Sequence, residues 1–483
     1  MNAWKWWLTI GILGCSGGEG VAPELARDAT VEDAAAAFED ATVDAGARPT
    51  DTGVVGEDVA PLVTPRRLVA ADVPWPMIHQ NGRGTKEGVG GGPSVGRVRE
   101  EGGAGTPILL LVGDELVYQQ TAGSSVIRAF ARGDVTTEVA SIDIGAPWPI
   151  GGGGNVDQDR RIWWNGRDAD GNMAVVRVEG SLTAPVYSAP LTIPSGERGV
   201  SYNAITFLPD GALLVGTMSP YLFVVESEVG ADGRFALRET FTKQEFRTAD
   251  DRVVFSEAAS YGPRPVEDPD GEHFYVNDSL VLAKLRYDAA SGTFDRTVAW
   301  VFEGPEGARA NLAVSNPIVV GDSVCVATEP LVAEDSQRVH CVDRETGTLR
   351  FSATPFPRAG ISAAHTLGAI ESRGWVFSIA RSEDGGGGVA GFSLATGEPL
   401  WPYVELDQVS ESFVIAPDDL RLYVASMEAG TRRFEIRAVD LTNGSSRAIY
   451  AATSVRSPSP ALGALGGDNL YFPTPNGFVR IED

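Results

Sequence analysis

A tight turn recurs along most of this chain and limits the folds open to it more than any other feature. It appears as Val112-Gly113-Asp114-Glu115-Leu116, Leu208-Pro209-Asp210-Gly211-Ala212 and Asp268-Pro269-Asp270-Gly271-Glu272. It returns as Val320-Gly321-Asp322-Ser323, Ala416-Pro417-Asp418-Asp419 and Leu465-Gly466-Gly467-Asp468-Asn469. Asp-Gly and Pro-Asp-Gly suit hairpins because their positions need a positive or a preset φ. An apolar strand follows most of these turns, as in Leu213-Leu214-Val215-Gly216, His273-Phe274-Tyr275-Val276 and Leu422-Tyr423-Val424-Ala425. Each unit is an apolar strand, the turn, a second strand, a longer loop, and one or two amphipathic strands.

The units repeat every 40–45 residues or so, with starts near Thr106, Ile150, Ser201, Glu257, Asn311, Ala364, Ser412 and Ser459. Fixed-period β units of this length fold as propeller blades. The expectation is an all-β chain: a β-propeller of four-stranded antiparallel sheets, with eight blades, or seven as the alternative count. The last unit falls a strand short before the chain ends at Asp483. The segment Trp75-Pro76-Met77-Ile78-His79-Gln80 is free to supply the missing strand, which would pair the two ends of the chain and remove open sheet edges. Composition agrees, since 57 Gly and 30 Pro furnish the turns and 43% hydrophobic residues suffice for a core. A mean hydropathy of -0.05 excludes a polytopic membrane protein.

The N-terminus carries an address. Lys5 precedes a short apolar run, Trp6 to Leu13, too short to span a bilayer, which reads as the core of a signal peptide covering 1–14. Ile12-Leu13-Gly14-Cys15 resembles the lipobox of bacterial lipoproteins, in which the peptide is cut before the Cys and both its thiol and its new amino group are acylated. Several acyl chains anchor far more firmly than one. Lipidation at Cys15 and attachment to the cell envelope are therefore expected, with Ser16 resembling an outer-membrane address. Residues 15–72 are rich in Ala, Asp, Glu, Thr and Gly and nearly free of aromatics; such a segment cannot offset its ordering entropy and reads as an acidic tether. The propeller is expected over 73–483, as a monomer. A net charge of -26 repels phosphate backbones and argues against nucleic-acid binding.

Of three cysteines, Cys325 and Cys341 remain after Cys15. Each sits in a strand-like core, Val324-Cys325-Val326 and Val339-His340-Cys341-Val342, so a disulfide joining neighbouring strands of one hairpin is expected in an oxidising compartment.

One further pattern is the segment Gly391-Phe392-Ser393-Leu394-Ala395-Thr396-Gly397-Glu398-Pro399-Leu400-Trp401, which resembles the repeat of quinoprotein-like (PQQ-type) propellers. Cys341 to Phe351 is a second copy with Phe in place of Trp; Ala438 to Gly444 and Tyr287 to Gly292 are weaker copies. The resemblance implies strands ending in Asp, a Thr-Gly turn, and an aromatic packed between blades. Quinoprotein dehydrogenases of this kind use a catalytic Asp, calcium held by Glu and Asn, and often a vicinal Cys pair. No adjacent cysteines exist here, and none of the family's ligands can be carried over. The resemblance also extends to the layout of a non-catalytic propeller lipoprotein of the outer-membrane β-barrel assembly machinery.

Other candidate chemistry is sparse. Asp168-Ala169-Asp170-Gly171-Asn172, with Glu179 at the twelfth position, has the oxygen spacing of a calcium loop, but the intervening Met173 to Val178 reads as a strand, so a hairpin turn is expected. His79, His273, His340 and His365 are scattered. Gly88 to Gly92, Gly151 to Gly154 and Gly385 to Gly388 read as flexible loops. Trp163 and Trp164 put one indole on each strand face, one for the core and one for a surface contact. The expected role is a binding or scaffolding module for a protein or glycan, with no catalytic or metal site named. The alternative is a PQQ- or calcium-dependent dehydrogenase or hydrolase.

Overall fold

The computed structural model describes residues 85–483 apart from 90, 104, 147–152, 194–204, 218–219, 256–264, 308–309, 313–315, 332–335, 356–365, 382–385, 411, 429, 432 and 453–462. Cys15, the tether and Trp75 to Gln80 lie outside the described residues.

Antiparallel groups of four strands, five in the case of 266–303, follow one another along the chain, over 107–143, 155–187, 205–242, 266–303, 318–353, 367–407 and 413–451. A single bridge, Asp407 to Met427, joins the last two into one hydrogen-bonded sheet. Helix is confined, among the described residues, to single turns such as Lys243–Glu245 and Glu371–Arg373. Each recurrent turn of the sequence sits between the first and second strands of its group, as the hairpin chemistry requires. The first strands of successive groups lie against each other: Ile318–Val320 meets Leu367–Ile370, which meets Phe413–Ala416, which meets Ala464–Gly466, which meets Pro107–Val112. They form an inner ring, and their side chains are buried on both faces.

The ring closes by pairing the two ends of the described chain, but with a different strand from the one the sequence suggested. Arg97–Gly102 pairs antiparallel with the C-terminal strand Gly477–Glu482, completing the sheet of 464–482. Asp483 then accepts hydrogen bonds from the backbone N–H groups of Ser94 and Val95, the latter at 2.7 Å. The closing strand reads Arg-Val-Arg-Glu-Glu-Gly and is polar because an outermost strand faces solvent.

Between neighbouring sheets the repeat motif explains itself. Trp401 lies over Gly444 of the following sheet, and its Nε1 donates to the Leu441 carbonyl at 3.0 Å. Trp300 does the same over Gly347, donating to the Arg344 carbonyl at 3.0 Å. Gly347 and Gly444 have φ of 70° and 75°, and a Cβ at Gly347 would stand 2.7 Å from the indole. Only glycine meets both demands. Phe351 covers Gly397 in the intervening sheet.

Two local expectations are corrected. Both Trp163 and Trp164 are 1% exposed, so neither makes a surface contact. Trp163 packs with Phe207 and Phe235, and Trp164 with Leu111 and Val176, because each face of a middle strand is covered by a neighbouring sheet. Gly386 to Gly388 belong to the strand Gly386–Ser393 rather than to a loop. A Cβ at Gly388 would stand 2.2 Å from the Val404 carbonyl oxygen, so glycine here admits a close strand.

Candidate functional site

The inner ring holds the feature with most bearing on function. Before it reaches the closing strand, the chain runs along this ring. Thr85 accepts a hydrogen bond from the Ala369 N–H at 2.8 Å, Ile415 donates to the Lys86 carbonyl at 3.2 Å, and Gly88 donates to the Ile415 carbonyl at 2.9 Å. Glu87 forms a parallel bridge with Ile415. The segment thus adds an extra rung inside two first strands. Gly88, read as part of a flexible loop, is fixed against Leu465, and Gly92 against Tyr423.

Lys86 is the chemically unusual member. It is 3% exposed and has a φ of 58°, a left-handed conformation that costs a residue with a Cβ. Its Nζ donates to Ser412 Oγ at 3.0 Å and lies 5.6 Å from the centre of the Phe413 ring. Burial draws the ammonium pKa down to about 7, because no carboxylate among the described residues compensates the lost water. An amine neutral near pH 7 beside a hydroxyl could act as a base. Here both groups are sealed, with Ser412 only 2% exposed. The pair fixes the segment in the ring.

Nearby polar side chains are also engaged with the fold. Asn155 Nδ2 donates to the Ile205 carbonyl at 3.1 Å, and Thr206 Oγ1 to the Pro265 carbonyl at 2.9 Å. Lys243 is 1% exposed; its Nζ donates to the Asn277 carbonyl at 3.3 Å, and burial lowers its pKa to about 8. Larger charge networks brace one sheet on the next. Arg238 meets Glu226 at 2.7 Å, Asp210 at 2.5 Å and the Tyr287 hydroxyl at 2.7 Å. The fully buried Asp268 accepts from the Tyr275 hydroxyl and faces Lys284 at 3.4 Å within its own sheet, and lies 3.9 Å from Arg344 of the next. Arg296 pairs with Glu239 and lies 4.4 Å from the Phe241 ring centre.

The sequence-derived candidates fall into place around this frame. Cys325 and Cys341 are directly opposite on Ser323–Ala327 and Val339–Asp343, with Cα atoms 4.1 Å apart, and form a disulfide. Asp168 to Asn172 is a hairpin turn. Asp168 Oδ1 accepts from the N–H groups of Asp170 and Asn172, and Oδ2 faces Arg234 at 3.1 Å, so its oxygens serve the turn and a neighbouring sheet. His273 bonds Asp270 at 2.7 Å within its own turn. His340 lies between Glu306 and Ser352, a contact that sequence spacing does not signal. His79 and His365 lie outside the described residues.

Two solved structures share the architecture. A quinohemoprotein alcohol dehydrogenase from Comamonas testosteroni matches with a TM-score of 0.58 at 10% identity, covering 86% of this chain and 81% of that one. A europium-containing methanol dehydrogenase matches with a TM-score of 0.56 at 11% identity, covering 83% of this chain and 89% of that one. The fold is that of the quinoprotein-like β-propeller. At these identities the likeness concerns fold alone. No protein-family model and no curated protein matches the sequence.

The fold invites a test for a bound quinone and its metal. Among the described residues, no three His, Cys, Asp or Glu side chains come together as a metal would require, and the two ring cysteines are cross-strand rather than vicinal. No chemical step is derived through such a group.

Proposed function

We propose that this chain is a cell-envelope lipoprotein, anchored through Cys15 and spaced by the acidic tether of 15–72, whose propeller is a rigid, non-catalytic module for binding or scaffolding. The ligand is a protein or a glycan held by the loops of the ring, and the propeller is an eight-bladed monomer. The observation carrying this reading is the chain's own segment 85–88 seated along the inner strands with Lys86 sealed behind it. That segment takes up wall which a substrate pocket would use. The bracing of ionic side chains between sheets supports the same reading, since it leaves them engaged with structure.

The likeness to two dehydrogenases favours a second reading, a PQQ- or calcium-dependent enzyme. Calorimetric titration of the purified full chain with calcium and then with PQQ separates the two. The scaffold reading expects no saturable heat from either; stoichiometric binding would replace it with the enzyme. The anchor is checked in the same strain: Cys15→Ser should move the protein from the membrane fraction to the soluble one, and unchanged partitioning would refute lipidation.

A further inference from the structure

A hydrogen-bonded line of three side chains crosses the rim of the 318–353 sheet. Ser352 Oγ lies 2.7 Å from His340 Nδ1, and His340 Nε2 lies 3.0 Å from Glu306 Oε2. Arg338 holds the other carboxylate oxygen, Nε to Oε1, at 3.2 Å. His340 and Ser352 face each other across adjacent strands, Val339–Asp343 and the outermost strand Leu349–Ala353. Phe302 flanks the imidazole at 5.8 Å between ring centres.

The chemistry fixes the direction of each bond. An ionised carboxylate only accepts, so Nε2 carries a hydrogen, and whenever the imidazole is neutral Nδ1 is the acceptor for the Ser352 hydroxyl. Burial opposes ionisation of Glu306, but the hydrogen bond from His340 and the charge of Arg338 hold its carboxyl below the ordinary range. Exposure is graded along the line: His340 is fully buried, Glu306 mostly so, and Ser352 is exposed.

Backbone geometry adds a donor. Cα atoms 4.1 Å apart mark Cys325 and Cys341 as a non-hydrogen-bonded pair. By alternation, His340 bonds inward to the Val326 strand, so His340 and Ser352 are also a non-hydrogen-bonded pair. That brings their side chains close and turns the Ser352 N–H outward from the sheet edge, beside its own Oγ. A serine, a base, an orienting carboxylate and an outward amide make up the parts of an acyl-transfer site.

We propose that Ser352, His340 and Glu306 form a surface hydrolytic triad acting on small carboxylic esters. The Ser352 oxygen bonds to the ester carbonyl carbon while its proton passes to His340 Nδ1. The tetrahedral adduct collapses, the C–O bond to the alcohol breaks, and His340 returns the proton to that alcohol. Water then repeats the sequence on the acyl-serine and releases the acid. Glu306 is a positioning residue that fixes the imidazole tautomer. The site lies on the outer strand, away from the segment seated on the inner ring; it keeps the binding role proposed above and replaces its non-catalytic part.

The experiment is labelling of the purified full chain with a fluorophosphonate, whose phosphorus takes the serine oxygen as fluoride leaves, followed by peptide mapping. An adduct on Ser352 that vanishes in Ser352→Ala is expected. Because His340 is a core residue whose loss could unfold the sheet, the second variant is Glu306→Gln, expected to slow labelling by roughly a hundredfold, the low end of the loss typical of acid–base assistance. No adduct on Ser352, or a rate that Glu306→Gln leaves unchanged, overturns the proposal.

Discussion

Two stretches of the ring are joined by different devices. From 266 to 451, an aromatic at the end of one sheet lies on the glycine of the next sheet's turn, as Trp300 does on Gly347, Phe351 on Gly397 and Trp401 on Gly444. Around the closure, from 413 onward through the chain ends to 187, a tyrosine hydroxyl reaches across instead. Tyr423 donates to the Pro93 carbonyl at 2.9 Å, Tyr471 to Arg132 at 3.0 Å and Tyr118 to Gly180 at 2.8 Å. The two indoles and the three tyrosines each satisfy a carbonyl in a neighbouring turn or loop, whereas Phe351 only packs. The indole also buries a large apolar surface against backbone, whereas the tyrosine adds mainly a directed hydrogen bond to a ring already packed in its own sheet. A repeated motif is therefore one of two solutions to the same docking problem, and its absence does not mark a weaker fold.

The difference predicts unequal costs. Trp401→Ala should remove about 3–5 kcal/mol, the usual cost of emptying a buried Trp site, read from the urea midpoint with the slope unchanged. The Leu441 carbonyl also loses its donor. A loss no larger than that of a single hydrogen bond would erase the distinction between the two devices.

The motif-bearing stretch also contains the disulfide, which could be mistaken for the source of its stability. Cys325 and Cys341 are separated by 16 residues, and closing a loop of that size in the unfolded chain is worth about 3 kcal/mol. The double replacement Cys325→Ser, Cys341→Ser should lower stability by that amount and leave the effect of Trp401→Ala unchanged, since the two sites lie in different sheets. Strong coupling between the two would mean that the aromatic docking depends on the cross-link.

The same contrast separates what the sequence made legible from what it did not. Turn chemistry located the hairpins because Asp-Gly and Pro-Asp-Gly select a backbone conformation directly. The cross-strand cysteines were readable because both stand in short β-branched runs. The Thr-Gly–aromatic copies announced the indole docking. Nothing local announces Tyr118 or Tyr471 as docking groups, because each looks like an ordinary core aromatic of its own strand. The closing strand was hidden for a related reason: Arg97 to Gly102 is polar, and its partner lies at the other end of the chain. Lys86 and the line from Glu306 through His340 to Ser352 depend on contacts between distant or alternating positions, which spacing alone does not encode.

The tyrosine device carries its own signature in pH. Burial first, and the nearby Asp114 second, push the Tyr118 hydroxyl from 10.0 up to about 12. An acid whose pKa is raised on folding contributes stability that is complete below the unfolded value and disappears as pH rises through the folded one. Tyr118 should therefore stabilise the ring fully below pH 10 and progressively less up to about 12. Tyr118→Phe removes the hydrogen bond to Gly180 and should cost about 1 kcal/mol at neutral pH. It should also flatten the alkaline fall in the urea midpoint, while Trp401→Ala, which carries no titrating group, should lower the whole curve without changing its shape. An alkaline limb that survives intact in Tyr118→Phe would mean that other tyrosines govern it and that this hydroxyl contributes little to the junction it bridges.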